Sequence, residues 1–409
     1  MHPAGDIRGT KGNSLTDRKI VLCITGSIAA VECVKLAREL IRHGADVHAV
    51  MTGKASEIVG PYAMEFATGN SVTTHLTGWV EHVTFCGDVP GHADLVLVAP
   101  MTANTLGKMV YAIDDTPVTT YLTTAIGTGI PVVLVPAMHN TMYSHPVVQE
   151  NLDKARSMGI GIVQPLMEEK KAKMASVDEI VENVIRKLSG EPLSGKKVLV
   201  VEGATREYID DMRFISNRAT GRTGNMLARE AFRRGADVTI LAGENVTGTP
   251  PHIDEIRFSD TKDLMNKVRD LSADIDICYF VAGISDYAPE RKEGKISSGQ
   301  DALKIEMRPT PKVINSFREI NPDAFLVGFK AESVSDEGEL IRRAFERMKA
   351  IGMDMVVAND LSDVTDTTNT VMTVTPSKDV FRAEGRKEDL ARFIVDRTVE
   401  LFSKKRGSS

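Results

Sequence analysis

ARELIRHGADVHAV at residues 37–50 and AREAFRRGADVTIL at residues 228–241 match at eight of fourteen positions. Each begins with the spacing of an amphipathic helix and reaches a glycine (Gly44, Gly235) suited to the left-handed position after a helix. Each then passes through Ala-Asp into an apolar strand. An apolar run lies upstream of both, KIVLCIT at 19–25 and KKVLVVE at 196–202. Each half of the chain therefore opens as strand, helix, strand, the unit of a parallel sheet wound with helices. Near-continuous apolar runs extend both halves: DLVLVAP and PVVLVPA in the first, DICYFVAG, AFLVGF and DMVVAND in the second. Such runs are what strands covered on both faces require. The predicted fold class is α/β, with two Rossmann-like domains, each a mostly parallel sheet flanked by helices. Only two repeats occur, too far apart for a solenoid.

A chain of 409 residues exceeds one compact core, which agrees with two domains. The Gly, Pro and Ser of KLSGEPLSG make residues 189–195 the expected linker, with a boundary near Pro192. The expected division is a disordered tail over 1–18, a first domain over 19–188 and a second over 196–403. Net charge is −6 with both signs well mixed, so no nucleic-acid partner is expected. No run of 18 apolar residues occurs and the first residues lack the apolar stretch of a signal peptide, so the expected setting is cytoplasmic, away from membranes. Cys23, Cys33, Cys86 and Cys278 form no CxxC pair, which favours free thiols over disulfides or structural metal.

Ligands of such sheets bind beyond the carboxyl ends of the strands. The first strand-to-helix turn, TGSIAA, offers Gly26 and Ser27 to a single phosphate and is not GxGxxG, which points to a mononucleotide such as FMN. DLVLVAP ends in APMTANTLGK, where Thr102, Asn104 and Thr105 form a flavin-phosphate or ribityl site, or a helix N-cap. PVVLV ends in PAMHNTMY, which delivers His139 and Asn140 between Met138 and Met142; a turn with core packing is the plain alternative. Eight of the nine histidines lie at or before His145, so imidazole chemistry belongs to the first half, and His82 in GWVEHVTFC is its candidate. In the second half about twenty residues, GATREYIDDMRFISNRATG, separate the opening strand from the helix near Arg222. So long a loop, with Arg206, Arg213, Asn217, Arg218 and Arg222, reads as a binder of anions.

The order TGSIAA, EH, APMTANTLGK, PAMHNTMY resembles the flavoprotein cysteine decarboxylases, which carry SGxIAA, GH, APATANTxAK and PxMNxxMW. GATREYID, RFISNRATGRTG, VAGISDY, GKISS, VGFKAE and VANDLSD resemble the phosphopantothenate-cysteine ligase domain. Together they cover residues 19 to about 400 and resemble the bifunctional decarboxylase/ligase family of coenzyme A synthesis. The resemblance implies a flavodoxin-like flavoprotein domain followed by a ligase domain. For the first it implies FMN held by Gly26, Ser27, Ile28, Thr52, Thr102, Asn104 and Thr105, and His82 as base or carboxylate partner. Met138 and Met142 would lie in the loop that closes over the substrate carboxylate. His139 stands where the family has asparagine, so either Asn140 supplies the amide or His139 itself donates. The family's flap cysteine is also missing from QPLMEEKKAKMAS, so another donor acts or the first half is altered.

For the second domain the resemblance implies transfer of a nucleotidyl group from CTP, with Mg²⁺ or Mn²⁺, onto 4'-phosphopantothenate, followed by attack of L-cysteine. Asn217 would stabilise the acyl nucleotide and Lys295 would face the triphosphate. Gly203, Ala204, Asp286 and Phe329 would hold nucleotide and Arg213 the substrate. The plainer readings are a solvated lysine for Lys295 and a strand-end cap for Asp286. A homo-oligomer is implied, trimer-based through the first domain with a dimerising second. Two other classes stay open: a two-domain NAD-dependent oxidoreductase, which should carry GxGxxG, and a non-enzymatic regulatory relative of the flavoprotein.

Overall fold

The computed structural model describes residues 2–169, 171–297, 302–332, 336–360 and 368–407. Its contacts divide the chain into two units, Met1–Gly190 and Glu191–Ser409.

In the first unit a parallel five-stranded sheet has the order Asp46–Met51, Lys19–Ile24, Leu95–Met101, Val132–Pro136, Gly161–Ile162. This is the flavodoxin-like order, and its winding reverses between Lys19–Ile24 and Leu95–Met101. Alternate side chains of the opening strand serve opposite faces, as a pleat dictates. Ile20, Leu22 and Ile24 pack with Leu36, Leu40 and Ile41 of the following helix, Cys33–Arg42. Val21 and Cys23 pack on the other side with Val96, Val98, Tyr121 and Leu152. A second, three-stranded sheet joins Met138–His139 to the hairpin of Leu166–Glu168 and Lys171–Lys173.

The main sheet of the second unit has eight strands in the order Asp254–Phe258, Asp237–Gly243, Lys197–Glu202, Ile277–Phe280, Phe325–Glu332, Met355–Asp360, Thr368–Val374, Val380–Arg386. The first six are parallel in the doubly wound Rossmann order, and the last two add antiparallel. Its winding reverses between Lys197–Glu202 and Ile277–Phe280. Val198 and Val200 face Leu227 and Ala231 of the helix Arg222–Arg233, while Leu199 and Val201 face Leu264, Phe317 and Met348.

Two boundary expectations are corrected. Residues before Lys19 are not a disordered tail: Pro3–Asp6 is helical, Ala4 and Leu15 are buried in the first core, and Arg8 Nη1 donates to Ala45 O at 2.7 Å. Burial of Leu15 and the Lys11–Glu39 ion pair at 2.5 Å supply the tether that the polar sequence conceals. The expected linker is likewise not all connection. Leu193 is buried in the second core and its N–H donates to Arg234 O at 2.8 Å.

Candidate functional site

In the first unit four strand-end turns are stitched into one row. Thr52 N–H donates to Ile24 O at 3.1 Å, and Thr102 N–H to Thr25 Oγ1 at 3.1 Å. Thr25 Oγ1 donates to Pro100 O at 2.7 Å, and Ala137 N–H to Met101 O at 3.1 Å. Thr25 was not singled out from the sequence, although it opens the TGS turn; its buried hydroxyl is the central stitch. Gly26 is required by close approach, because a Cβ there would lie 2.5 Å from Lys54 Cβ of the neighbouring turn. Ser27 precedes the short 3₁₀ turn Ile28–Glu32 and its hydroxyl makes no capping bond there, while Ile28 is 76 % exposed beside it. Thr52 and Thr102 are N-caps whose Oγ1 atoms accept from Ala55 N at 3.2 Å and Thr105 N at 3.3 Å. Asn104 is exposed and Thr105 buried on the helix that Thr102 caps. The structure thus brings Gly26, Ser27, Ile28, Thr52, Thr102, Asn104 and Thr105 to one edge.

The same edge continues into PAMHNTMY. Met138 and His139 form a two-residue strand, and Asn140–Tyr143 turns helical with Met142 exposed. His139 sits opposite Lys171, and Met138 opposite Ala172, so the segment lacking the flap cysteine is paired directly to the loop that carries the histidine. His82 lies on the short helix Glu81–Cys86, whose Cys86 O accepts from Thr128 Oγ1 at 2.8 Å. The helix starts from Val80 at φ 45°, a left-handed conformation that a β-branched residue adopts at a cost. His82 Nδ1 is buried with no hydrogen-bond partner among the described residues. A buried imidazole nitrogen without a partner is an open position for a ligand atom.

In the second unit the opposite sides of the switch point are tied together. Gly283 N–H donates to Gly203 O at 2.8 Å, and Ala204 N–H to Asn245 Oδ1 at 3.0 Å. Asn217 Nδ2 donates to Gly283 O at 2.9 Å, which sets Asn217 at the same edge as Gly203 and Ala204. Farther along, a cavity of about 90 Å³ is walled by Phe280, Ile284, Phe329 and Met353, with Asp286, Lys312 and Arg347 at its polar part. It therefore unites Asp286 with Phe329. Lys312, which bonds Asp286, holds that carboxyl below the usual carboxylate range against burial, helped by the charges of Arg347 and Lys330. Lys312 and Arg347 were missed because no spacing links them to SDY; the fold alone does.

Two arginines of the long loop that reads as a binder of anions have acidic partners within the unit. Arg206 pairs with Glu244 at 2.7 Å, and Arg213 Nη1 pairs with Asp210 at 3.0 Å while also donating to Ile296 O at 3.4 Å. These guanidinium groups hold the loop itself: Glu244 folds onto Arg206 from far along the chain, and Asp210 meets Arg213 from within the loop. Lys295 is exposed on the segment 291–297 that this loop grips. Of GKISS, Ser298 lies outside the described residues, as do Leu361–Asp363 of VANDLSD. The four cysteines are free and buried; burial raises Cys33 and Cys86 to about 12. Among the described residues no group of three or more His, Cys, Asp or Glu is placed to hold a metal ion, and no helix is long and apolar enough to cross a membrane.

Comparison with known proteins matches residues 8–189 to the Flavoprotein family and residues 193–401 to the DNA/pantothenate metabolism flavoprotein C-terminal domain. The coenzyme A biosynthesis bifunctional protein CoaBC of Thermococcus kodakarensis is 48% identical over 91% of this chain and 93% of its own. That of Methanocaldococcus jannaschii is 36% identical over 98% of both. Among solved structures, the DNA/pantothenate metabolism flavoprotein from Streptococcus pneumoniae aligns with TM-score 0.47 at 24% identity, covering 50% of this chain and 98% of that one.

Proposed function

Because the chain belongs to the CoaBC family of bifunctional coenzyme A biosynthesis proteins, we propose that it makes 4'-phosphopantetheine in two steps. The second unit joins 4'-phosphopantothenate to L-cysteine, and the first decarboxylates the phosphopantothenoylcysteine formed. The observation that carries this reading is the succession of both family matches along one chain, each over a unit that gathers polar residues at its sheet edge.

In the first unit the stitched turns fit FMN. Gly26 lets the Lys54 turn pack against the first turn, the Ser27 hydroxyl makes no capping bond, and His82 Nδ1 lacks a partner among the described residues. Gly26, Ser27, Ile28, Thr52, Thr102, Asn104 and Thr105 would hold its phosphate and ribityl chain. Bound FMN supplies the two-electron redox chemistry that a thiol lacks, and without which the neighbouring carboxylate has nowhere to leave its electron pair. His82 holds or moves a proton at Nδ1, or meets the carboxylate. His139 or Asn140 donates to that carboxylate, with Met138 and Met142 closing the apolar side and Lys171 beside His139.

In the second unit Phe329 and Asp286, which share one cavity, would hold the nucleoside, with Gly203 and Ala204 at the switch-point edge beside it. CTP is the proposed co-substrate, with Mg²⁺ or Mn²⁺. Its nucleotidyl group passes to the phosphopantothenate carboxylate, pyrophosphate leaves, and the cysteine amine then displaces CMP. Asn217 stabilises the acyl nucleotide, Lys295 neutralises the departing phosphates and Arg213 shapes the substrate loop. The enzyme works in the cytoplasm as a homo-oligomer, trimer-based through the first unit and dimerising through the second. Ile28 and Val31, exposed beside the FMN turn, suit an assembly face.

The test is direct. The purified protein should be yellow with a flavin spectrum, and should convert 4'-phosphopantothenate, L-cysteine, CTP and Mg²⁺ into 4'-phosphopantetheine. Accumulation of phosphopantothenoylcysteine by a colourless protein would refute the decarboxylase half; equal turnover with ATP would refute the choice of CTP.

A further inference from the structure

Resting on the reading of Lys295 as a ligase residue, we propose that Asp210 and Asp211 are positioning residues that hold Lys295 against the substrate loop. Lys295 is exposed and follows a short run without regular structure, so its backbone needs an external restraint to be in place before substrate binds. Its two chain neighbours both have one. Gly294 N–H donates to Asp211 Oδ2 at 3.0 Å, and Ile296 N–H donates to Asp210 Oδ2 at 3.1 Å. Three further bonds tie the same stretches: Asp211 N–H to Gly294 O at 3.2 Å, Lys292 N–H to Ile209 O at 3.0 Å, and Arg291 Nη2 to Asp211 Oδ1 at 2.9 Å. Lys295 is thus held from both sides while its own ammonium is left to the ligand.

The two carboxylates are themselves set for this work. Asp210 is fully buried, yet it accepts from Met212 N and Arg213 N at 2.7 Å each and from Arg213 Nη1 at 3.0 Å. Burial pushes its carboxyl up, but the N–H groups of Met212, Ile296 and Arg213 and the Arg213 charge outweigh that and hold it below the usual range. The gripped loop runs on to Asn217, which is pinned to Gly283 O at 2.9 Å. Asn217, assigned to the acyl nucleotide, and Lys295, assigned to the departing phosphates, therefore sit on stretches bonded to each other. A positioning error of about 1 Å can lower turnover by roughly a hundredfold, so a grip on Lys295 matters more to kcat than to folding.

Ligation is measured as pyrophosphate release by the full-length holoenzyme with 4'-phosphopantothenate, L-cysteine, CTP and Mg²⁺. The variants are Lys295→Gln, Asp211→Ala and the double substitution. Asp211 is half exposed, so Asp211→Ala should fold; an unchanged urea midpoint for the unfolding transition of the second unit reports that it has. The expected result is that Asp211→Ala lowers kcat by about tenfold or more with little change in KM for CTP. The double variant should be no slower than Lys295→Gln alone, and Asp211→Asn, which keeps an acceptor oxygen, should recover part of the rate. Amide hydrogen exchange at Gly294 and Ile296 should quicken in Asp211→Ala. Losses that multiply in the double variant would overturn the proposal, as would wild-type ligation by Asp211→Ala when Lys295→Gln is impaired. Wild-type ligation by Lys295→Gln would instead defeat the reading of Lys295 itself, a result distinguishable from the other two.

Discussion

His82 and Glu202 both carry buried side-chain atoms without a hydrogen-bond partner among the described residues, and they call for different explanations. His82 lies in the unit that holds all the plausible imidazole chemistry. His82→Asn should therefore keep FMN, abolish CO₂ release from phosphopantothenoylcysteine and leave ligation intact. Flavin absorbance and paired assays check this, and normal decarboxylation would remove His82 from the site. Glu202 ends the opening strand of the second unit beneath the helix Arg222–Arg233, so tightly that a Cβ at Gly224 would fall 2.1 Å from its Oε2. Burial first, and the nearby Glu255 charge second, push its carboxyl from 4.5 up to about 8, against weaker pulls from Asn225 N–H and Arg257. A raised acid binds its proton more tightly folded than unfolded. Its contribution is thus complete below about 4.5 and declines by about 1.4 kcal/mol per pH unit until about 8. Glu202→Gln removes that slope. Its stability relative to the native protein should rise by a few kcal/mol between pH 5 and pH 8 in urea melts, as an order of magnitude. An unchanged difference at the two values would show that Glu202 is ionised in the folded state. No motif marks Glu202, which reads from sequence as the plain end of a strand.

At the scale of elements, legibility followed length and periodicity. The helix-to-strand passages at Gly44 and Gly235 could be read because each combines a helical stripe, a glycine stop and an apolar run, three signals that agree. The hairpin Leu166–Glu168 and Lys171–Lys173 had none of these: its strands span three residues, and both faces carry exposed positions. Its pairing with Met138–His139 is a long-range event that no local pattern encodes. The arginine loop was legible in its charges but not in their partners, since Glu244 lies far along the chain from Arg206. Ala172 is the buried centre of the middle strand of the small sheet, facing Met138 on one side and Met167 on the other. Proline there removes a ladder donor and clashes with its neighbours. Ala172→Pro should lower decarboxylation by roughly tenfold or more while ligation and flavin content persist, if the hairpin orders the His139 loop for catalysis. Undiminished CO₂ release would show that the loop needs no such support.

At the scale of the whole molecule, each unit has its own opening strand, its own switch point and its own cores on both faces of its sheet. Separate cores imply separate folding, so a chain divided between the units should give two soluble proteins. One should be yellow and decarboxylating; the other should be colourless and make phosphopantothenoylcysteine with CTP. Where the cut falls matters, and here the structure refines the boundary that the Gly, Pro and Ser content placed near Pro192. Leu193 is buried in the second core, and Glu191 packs so closely beneath Gly235 that a Cβ on that glycine would meet Glu191 Cβ at 2.7 Å. A second fragment that starts at Glu191 keeps both contacts, whereas one that starts at Lys196 loses them and leaves the Leu193 site empty. Deleting a buried leucine costs about 2–5 kcal/mol. The shorter fragment should accordingly unfold at lower urea, with a loss of at least about 2 kcal/mol. Equal midpoints for the two fragments would mean that residues 191–195 are linker after all. Failure of the longer, folded fragment to ligate until the first unit is added back would mean that the two reactions do not have separate sites.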